Sequence, residues 1–171
     1  MKEINLYLNN IQLPSEFSHK GQNGRVLIIG GSKLFHSASM WSLKVVSRIV
    51  DLVHYASTEE NNKLVQKLKE EFRDGIIVNR LHIEDYITED DCILIGPGMV
   101  RTENPKSEIR NPKLNEILEM SNEGELTYYL TEYLLRKYPG KKWVIDAGSL
   151  QMMEPEWIPE GAILTPHQKE F

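Results

Sequence analysis

Short runs of apolar residues divide the chain into a repeated unit: a run, a small or polar loop, and usually a helical pattern. The runs are continuous rather than alternating and rich in β-branched residues, as in strands that are buried on both faces of a parallel sheet. They predict six strands, at residues 25–29, 51–55, 76–78, 92–95, 143–145 and 162–164.

Helical periodicity fills four of the gaps between these strands, because apolar residues recur three or four positions apart. The predicted helices are 38–50 with Ser37 as N-cap, a segment from the N-cap Thr58 to Phe72, a short one at 112–120 with proline in its first turn, and one at 126–134 that ends before Pro139. Alternating strands and helices indicate an α/β fold, with a mostly parallel sheet and helices on both faces. Residues 1–23 stay unassigned, and 101–111 are expected to form an exposed loop.

Composition and charge narrow the class of protein. The 171 residues suit a single domain, and 20 Lys+Arg against 25 Asp+Glu give a net charge of −5, whereas nucleic-acid-binding domains usually present a basic face. The single cysteine, Cys92, excludes a disulfide framework and a cysteine zinc site, and its apolar run predicts a small core residue rather than a nucleophile. No run approaches the roughly 18 apolar residues of a membrane span, and no signal-peptide pattern opens the chain. We therefore expect a cytoplasmic protein that binds neither nucleic acid nor membrane.

Four of the predicted strands end in loops that suit the close approach of a ligand. In an open parallel sheet the carboxyl ends of the strands share one edge, where loops and helix N-termini bind ligands. The four loops are Gly30-Gly31-Ser32, Gly96-Pro97-Gly98, Asp146-Ala147-Gly148-Ser149 and Thr165-Pro166-His167. Their clustering is the strongest indication of a functional site in the sequence.

Each loop taken alone also has a purely structural interpretation. Gly30-Gly31 fits a tight turn, since it lacks both the G-x-G-x-x-G fingerprint and the G-K-[ST] of a Walker A loop. Asp146 could bind a hydroxyl or a metal, or cap the helix that begins near Ser149. His167 could donate to a polar ligand or be a solvated loop residue. The other histidines show no metal-ligand spacing and are expected to be structural or exposed: His19, His36, His54 and His82.

Four segments, taken in order, carry a family resemblance. They are HKGQNGRVLIIGGS (19–32), DCILIGPG (91–98), WVIDAGSL (143–150) and ILTPHQKEF (163–171). Together they resemble the ADP- or ATP-dependent NAD(P)H-hydrate dehydratases, which implies a ribokinase-like fold. The resemblance runs from about His19 to the last residue.

The resemblance implies repair of NADH and NADPH that have gained water on the nicotinamide ring, the hydrates NADHX and NADPHX. ATP or ADP activates the ring hydroxyl as a phosphate, a better leaving group than hydroxide, and elimination restores the dihydronicotinamide. Phosphoryl transfer of this kind usually employs Mg²⁺. The resemblance further implies small nucleotides as ligands and assembly into a homo-oligomer.

Residue by residue, the resemblance assigns substrate binding to four positions, Ala38, Gly98, Asp146 and His167. Further loop contacts are expected at Gly30, Gly31, Ser32 and Gly96. The sequence departs from the family pattern around two of these positions. Ser37 and Ser39 replace the glycine and proline that flank the family's alanine, and Val100 replaces the last glycine of GPGLG.

The family's catalytic segment has no counterpart in this sequence. Members continue past TPHxxEF into a glycine-rich G-T-G-D segment that forms an anion hole and supplies the catalytic aspartate. We therefore expect a domain that is incomplete at its carboxyl end, with its catalytic residues beyond Phe171 and no metal ligand within 1–171. We expect no turnover of hydrated NADH by this chain alone, and an apolar sheet edge where further strands would pair.

Two other functions stay open at this stage. One is a ribokinase-like kinase of a small molecule such as a vitamin precursor, because the TPHxxEF and DA-x-x-L elements occur loosely in such relatives. The other is a catalytically inactive domain that binds a nucleotide or serves as a scaffold, which the changes at Ser37, Ser39 and Val100 favour.

Overall fold

The strand prediction is confirmed in the computed structural model, which describes residues 13–71, 73–103, 105 and 111–168. All strand pairs are parallel, and the order across the sheet is β3-β2-β1-β4-β5-β6. The strands are β1 Arg25–Ile29, β2 Leu52–Ala56, β3 Ile76–Val78, β4 Cys92–Ile95, β5 Lys142–Ile145 and β6 Ile163–Leu164. Each matches a predicted run to within one residue at either end.

The register of the sheet brings the last residues of the strands level with one another. Ile29 at the end of β1 pairs with Ala56 and Ile95, the last residues of β2 and β4. Ile95 pairs in turn with Ile145, and Ile145 with Leu164. The loops that follow these strands therefore leave the sheet at one height along one edge, as the sequence predicted.

Helices cover both faces of this sheet, which confirms the predicted α/β fold. They are α1 Ser37–Val46, α2 Glu59–Leu68, α3 Ile83–Glu89, α4 Leu114–Leu118, α5 Glu123–Lys137 and α6 Ala147–Met152, with short 3-10 helices at Arg80–His82 and Pro155–Trp157. On one face α1 and α2 pack Leu43 and Val65 against Ile28 and Tyr55. On the other face a larger core gathers residues of α3, α4 and α5 around Trp143.

Several details of the helix predictions differ from the structure. Helix α1 ends at Val46 rather than at residue 50, and its N-cap position is His36, with Ser37 already inside the helix. Pro112 precedes the N-cap Lys113 of α4 and so stands outside the helix. Helix α3 was not predicted. By contrast, Thr58 caps α2 as expected, since its side chain accepts from the backbone N–H of Asn61.

The lead-in segment before β1 lies at the amino edge of the sheet, opposite the carboxyl-end loops. One oxygen of Asp51 accepts from the backbone N–H groups of Gly21 and Asn23, at 3.0 and 3.1 Å. It also accepts from the side-chain amide of Asn23 at 2.9 Å. These contacts give the GQNG part of the lead-in a structural role. No helix in the part of the chain that the structure describes is long and apolar enough to cross a membrane.

Candidate functional site

The four loops singled out in the sequence lie side by side, because β1, β4, β5 and β6 are consecutive neighbours in the sheet. Backbone hydrogen bonds continue across the first residues after the strands. The N–H of Gly96 donates to Ile29, that of Asp146 to Ile95, and that of Thr165 to Ile145. The loops therefore begin as an extension of the sheet and form one continuous edge.

The amides of the β1 loop are already engaged within the protein. The N–H of Gly30 donates to the carbonyl of Ala56, that of Gly31 to Pro97, and that of Ser32 to Phe35, at 3.2, 2.8 and 3.1 Å. A ligand that used these three donors would have to displace those acceptors. Contact of Gly30, Gly31 and Ser32 with a ligand stays a prediction.

Close packing of loop on loop accounts for the glycines here. Gly96 has a φ of +116°, and a Cβ atom on it would lie 1.8 Å from the carbonyl oxygen of Asp146. Gly98 has a φ of +73° and packs against the backbone of Gly31 and Phe35. Side chains are excluded at these positions by neighbouring backbone, whether or not a ligand binds.

A buried arginine that the sequence analysis missed holds the β1 loop from below. Arg80, which follows β3, donates from Nη2 to the carbonyl oxygens of Gly30 and Gly31, at 2.9 and 3.1 Å. The hydroxyl of Ser57 donates to the same oxygen of Gly30, at 2.7 Å. Burial lowers the pKa of Arg80 to about 10, so its guanidinium remains charged at neutral pH.

Asparagine and histidine side chains complete this polar support. The side-chain amide of Asn61, which is fully buried, donates to the carbonyl of Ser32 at 3.0 Å. Its oxygen lies 2.5 Å from Nδ1 of His36, at the N-cap of α1. Together these contacts tie the start of α2 to the loop that leads into α1.

Two of the predicted substrate-binding residues, Ala38 and Asp146, line one groove. This groove, which we call the α1 groove, runs between α1 and the carboxyl ends of β4 and β5 and has a volume of about 470 Å³. Apart from the Asp146 carboxylate and one serine its lining is apolar, with Ala38, Trp41, Ser42, Val45, Val46, Leu94, Pro97 and Asp146. Trp41 is 67% exposed. The groove thus offers a flat aromatic surface and a carboxylate.

Asp146 links two of the loops instead of capping a helix. It occupies the N-cap position of α6, but its side chain makes no capping hydrogen bond. One carboxylate oxygen accepts from the hydroxyl of Thr165 at 2.6 Å, which joins the β5 loop to the β6 loop. Of the roles left open by the sequence, capping is therefore excluded by the geometry.

Gly98 and His167 are not among the residues that line the α1 groove. Gly98 follows Pro97, which does line the groove, and His167 is an exposed residue two positions after Thr165. Ala38 thus lies in the first turn of α1 and the other three residues on loops or at a helix start along the same edge, and the structure brings only Ala38 and Asp146 into one groove.

The remaining titratable candidates are structural. His54 is buried and its Nδ1 lies 2.8 Å from the carboxylate of Asp90. Burial raises the pKa of the Cys92 thiol, which opposes a nucleophilic role. Within the described ranges, no three His, Cys, Asp or Glu side chains are grouped so that they could hold a metal ion.

The fold defines the class of protein. The structure is similar to a ribokinase-like superfamily protein from Enterococcus faecalis, with a TM-score of 0.68 at 20% identity over 93% of this chain and 50% of that one. It is also similar to a hypothetical protein from Streptococcus mutans, with a TM-score of 0.63 at 24% identity over 93% of this chain and 51% of that one. This is an α/β domain with a ribokinase-like fold.

Sequence comparison then gives the family. The model of the NAD(P)H-hydrate dehydratase family matches residues 26–171, and the chain belongs to this family. It is 33% identical over 165 residues to the bifunctional NAD(P)H-hydrate repair enzyme Nnr of Methanocaldococcus jannaschii, a match that covers 90% of this chain and 28% of that protein.

This chain matches half the length of a second relative. Over 159 residues the chain is 26% identical to the ADP-dependent (S)-NAD(P)H-hydrate dehydratase of Lactococcus lactis, which covers 90% of this chain and 50% of that protein. The chain therefore spans between about a quarter and a half of the length of these curated relatives.

Proposed function

We propose that this chain binds a hydrated nicotinamide dinucleotide, NADHX or NADPHX, in the α1 groove. In this proposal it is the substrate side of a nucleotide-dependent NAD(P)H-hydrate dehydratase, a lyase of metabolite repair. Family membership over residues 26–171 supports the chemistry. The observation that carries the location is that Ala38 and Asp146, assigned to substrate binding independently of the structure, line the same groove.

The Asp146 carboxylate supplies the polar recognition in this proposal. A carboxylate has two oxygens and about four acceptor sites, so the bond from Thr165 leaves capacity for a ligand hydroxyl. The hydrate differs from the intact dinucleotide by a ring hydroxyl and also carries ribose hydroxyls. Thr165 holds the carboxylate in place, so its position is set before a ligand arrives.

The aromatic and aliphatic lining supplies the apolar recognition. Trp41 presents an indole on which a flat ring can stack, a contact that is worth about 1 kcal/mol or more. Val45 and Leu94 extend the apolar surface beside it and exclude water from a bound ring. In this proposal Gly98 and His167, which the resemblance assigns to substrate binding, contact the rest of the dinucleotide.

ATP or ADP supplies the phosphate in the proposed reaction. The ADP dependence stated for the Lactococcus lactis relative supports a nucleotide donor. After phosphorylation of the ring hydroxyl, the C–O bond breaks with phosphate as the leaving group and a proton leaves the neighbouring ring carbon, which restores the double bond. Homo-oligomer formation stays a prediction.

Calorimetric titration of the 171-residue protein with NADPHX tests this proposal. We expect saturable binding of the hydrate, with about tenfold weaker binding in Trp41→Ala because the stacking surface is lost. Asp146→Asn should also weaken binding, since the amide retains an acceptor for Thr165 but lacks the charge. Phe17→Ala is the control, because Phe17 is also an exposed aromatic residue and lies outside the groove.

The same titration separates the proposal from its alternatives. Binding that is unchanged in both groove variants, or no binding at all, would contradict it, and the latter would leave only a scaffold role. Saturable binding of a vitamin precursor with no binding of NADPHX would favour a ribokinase-like kinase instead.

A further inference from the structure

At one end of the sheet, two strands carry apolar side chains that no helix of the described residues covers. Side chains alternate between the two faces along a strand, and Trp143 and Ile145 of β5 belong to the larger core. Val144 lies between them and therefore faces the α1 side of the sheet. Ile163 of β6 faces the same side, because its neighbour Leu164 packs against the larger core. Neither Val144 nor Ile163 belongs to a hydrophobic core formed by the described residues.

The register of the sheet joins these side chains into one apolar row. Leu94 of β4, which packs partly against the smaller core, pairs with Val144, and Val144 pairs with Ile163. Neighbouring strands lie about 4.8 Å apart, so the three side chains follow one another directly. Ile163 at the end of the row is 60% exposed. Its strand, β6, is also an edge of the sheet, with β5 as its one neighbour among the described strands.

One side of α1 borders this row and is apolar as well. Val45 of α1 and Ile49 in the turn after it are four positions apart and exposed, whereas Leu43 of the same helix is buried. Val45 lines the α1 groove together with Leu94, so this side of the helix lies next to the row. A contiguous apolar patch on a protein surface marks a site of interaction. We call this surface the open face, and its residues are Val45, Ile49, Leu94, Val144 and Ile163.

The form and charge of the open face suit a helix. The exposed side of α1 is one wall, and the row across the three strands is a floor beside it. Parallel sheets are covered by helices on both faces, and the opposite face of these strands already has its helices. Lys142 lies two positions before Val144, on the same face of β5, and is exposed. Its charge favours an acidic residue at that end of a helix on the open face.

The relatives of this chain indicate where such a helix comes from. The chain matches about half of the Lactococcus lactis dehydratase and about half of the ribokinase-like protein from Enterococcus faecalis. About as much polypeptide again belongs to each of those proteins and has no counterpart in residues 1–171. Polypeptide from this unmatched half is therefore available within the family to cover the open face.

We propose that the open face binds an amphipathic helix from the half of the NAD(P)H-hydrate dehydratase fold that residues 1–171 do not contain. The helix lies beside α1, packs its apolar side on Val144 and Ile163, and places an acidic residue near Lys142. Asp146, which follows the end of β5, stays outside this contact. The proposal rests on family membership and on the uncovered strands, and it does not depend on the binding of a dinucleotide.

Co-expression with a defined partner tests this proposal. The 171-residue protein, carrying an affinity tag, is produced together with the half of the Lactococcus lactis dehydratase that it does not match, so that the two fold in contact. We expect them to purify together and to elute as a one-to-one complex, with the mass measured by light scattering. A tagged chain that elutes alone as a monomer, or as a dimer of itself, would overturn the proposal.

Hydrogen exchange of the complex tests where the partner binds. The amides of β5 and β6 should exchange at least about tenfold more slowly in the complex than in the 171-residue protein, because covered strands open less often. The amides of β2 and β3, at the other end of the sheet, should be unchanged. Protection that is confined to other parts of the protein would show that the partner binds a different surface, which contradicts the proposal.

Substitutions on the open face test the contact itself. Ile163→Lys and Ile49→Lys each place a charge against the apolar side of the helix and should raise the dissociation constant of the complex at least about tenfold. Leu81→Lys is the matched control, since Leu81 is 58% exposed, close to the value for Ile163, and follows β3 at the opposite end of the sheet.

The control variant should bind the partner as the unsubstituted protein does. An unchanged dissociation constant in both open-face variants, or an equal loss in the control, would refute the contact. NADPHX is absent from every one of these measurements, so their outcome is independent of whether the α1 groove binds the hydrated dinucleotide.

Discussion

At the scale of single residues, the candidate site is built by backbone groups that approach each other without intervening side chains. Gly96 combines a positive φ with a neighbouring Asp146 carbonyl that occupies the place where a Cβ atom would lie. Arg80 acts in the opposite way, since its long charged side chain reaches from the end of β3 to the backbone carbonyls of Gly30 and Gly31 after β1. Both residues hold loops at the carboxyl edge of the sheet in position.

Gly96→Ala should strongly destabilise the protein. The new Cβ would clash with the carbonyl of Asp146, and φ would remain in a region that alanine rarely adopts. Together these costs predict a loss of about 2 to 5 kcal/mol in the free energy of unfolding, measured by urea denaturation. Gly140→Ala is the control, because nothing lies within 4 Å of its Cβ position. Similar stabilities of the two variants would refute this packing argument.

Replacing Arg80 with glutamine should destabilise the β1 loop and the protein with it. Two hydrogen bonds from a charged donor are lost, which predicts a decrease of about 1.5 to 3 kcal/mol in the free energy of unfolding. Arg73→Gln, at an exposed arginine, should change it little. Hydrogen exchange adds a local measurement, since the amide of Gly31 should exchange faster in the Arg80 variant. Unchanged protection of this amide would show that the hydrogen bonds from Arg80 do not stabilise the β1 loop.

At the scale of elements, the patterns that could be predicted are those set by local burial. Continuous apolar runs identified all six strands, because a parallel strand covered on both faces has no polar alternation. Helix α3 escaped prediction because it is seven residues long and buries only Ile83 and Ile87. A stripe of two residues is too short to show a period.

The residues of the candidate site likewise divide into those that a local sequence pattern predicts and those that it does not. Asp146 could be found because it stands in a recognisable loop directly after a strand, and Ala38 because it matches the alanine of the family pattern. Arg80 and Trp41 could not, since a lone basic residue after a three-residue strand does not reveal which carbonyls it reaches. Likewise, an apolar residue within a helical period predicts burial, whereas Trp41 is exposed in the groove.

The turn before β1 provides a prediction of pH dependence. Hydrogen bonds from Asn23, chiefly its backbone N–H, hold the pKa of Asp51 below its ordinary value of 3.8. The unfolded chain thus binds the proton more readily, so the stabilisation is complete above that value and is lost as the pH falls through the lower folded-state pKa.

Asp51→Asn should therefore lose less stability than the wild-type protein on acidification from about pH 5 to about pH 3. Asparagine keeps an acceptor for Gly21 and Asn23 but does not titrate in this range. Asp74→Asn, at an exposed aspartate, is the control and should retain the wild-type slope. Equal slopes for Asp51→Asn and wild type would mean that these hydrogen bonds do not stabilise the charged carboxylate.

At the scale of the whole molecule, the parallel sheet and its level strand ends place every candidate residue on one edge. The chain belongs to the NAD(P)H-hydrate dehydratase family, which is the basis for the ligand that we propose at that edge. The chain matches half or less of the length of its relatives. We accordingly propose a binding function, in which the α1 groove receives the hydrated dinucleotide.

The most direct measurement is a crystal structure of the protein with NADPHX. The account predicts density for the hydrated ring beside the indole of Trp41, with a hydroxyl of the ligand within hydrogen-bond distance of the Asp146 carboxylate. Gly98 and His167 should contact the same molecule from either side. Density for the dinucleotide elsewhere on the protein, with an empty α1 groove, would contradict the account.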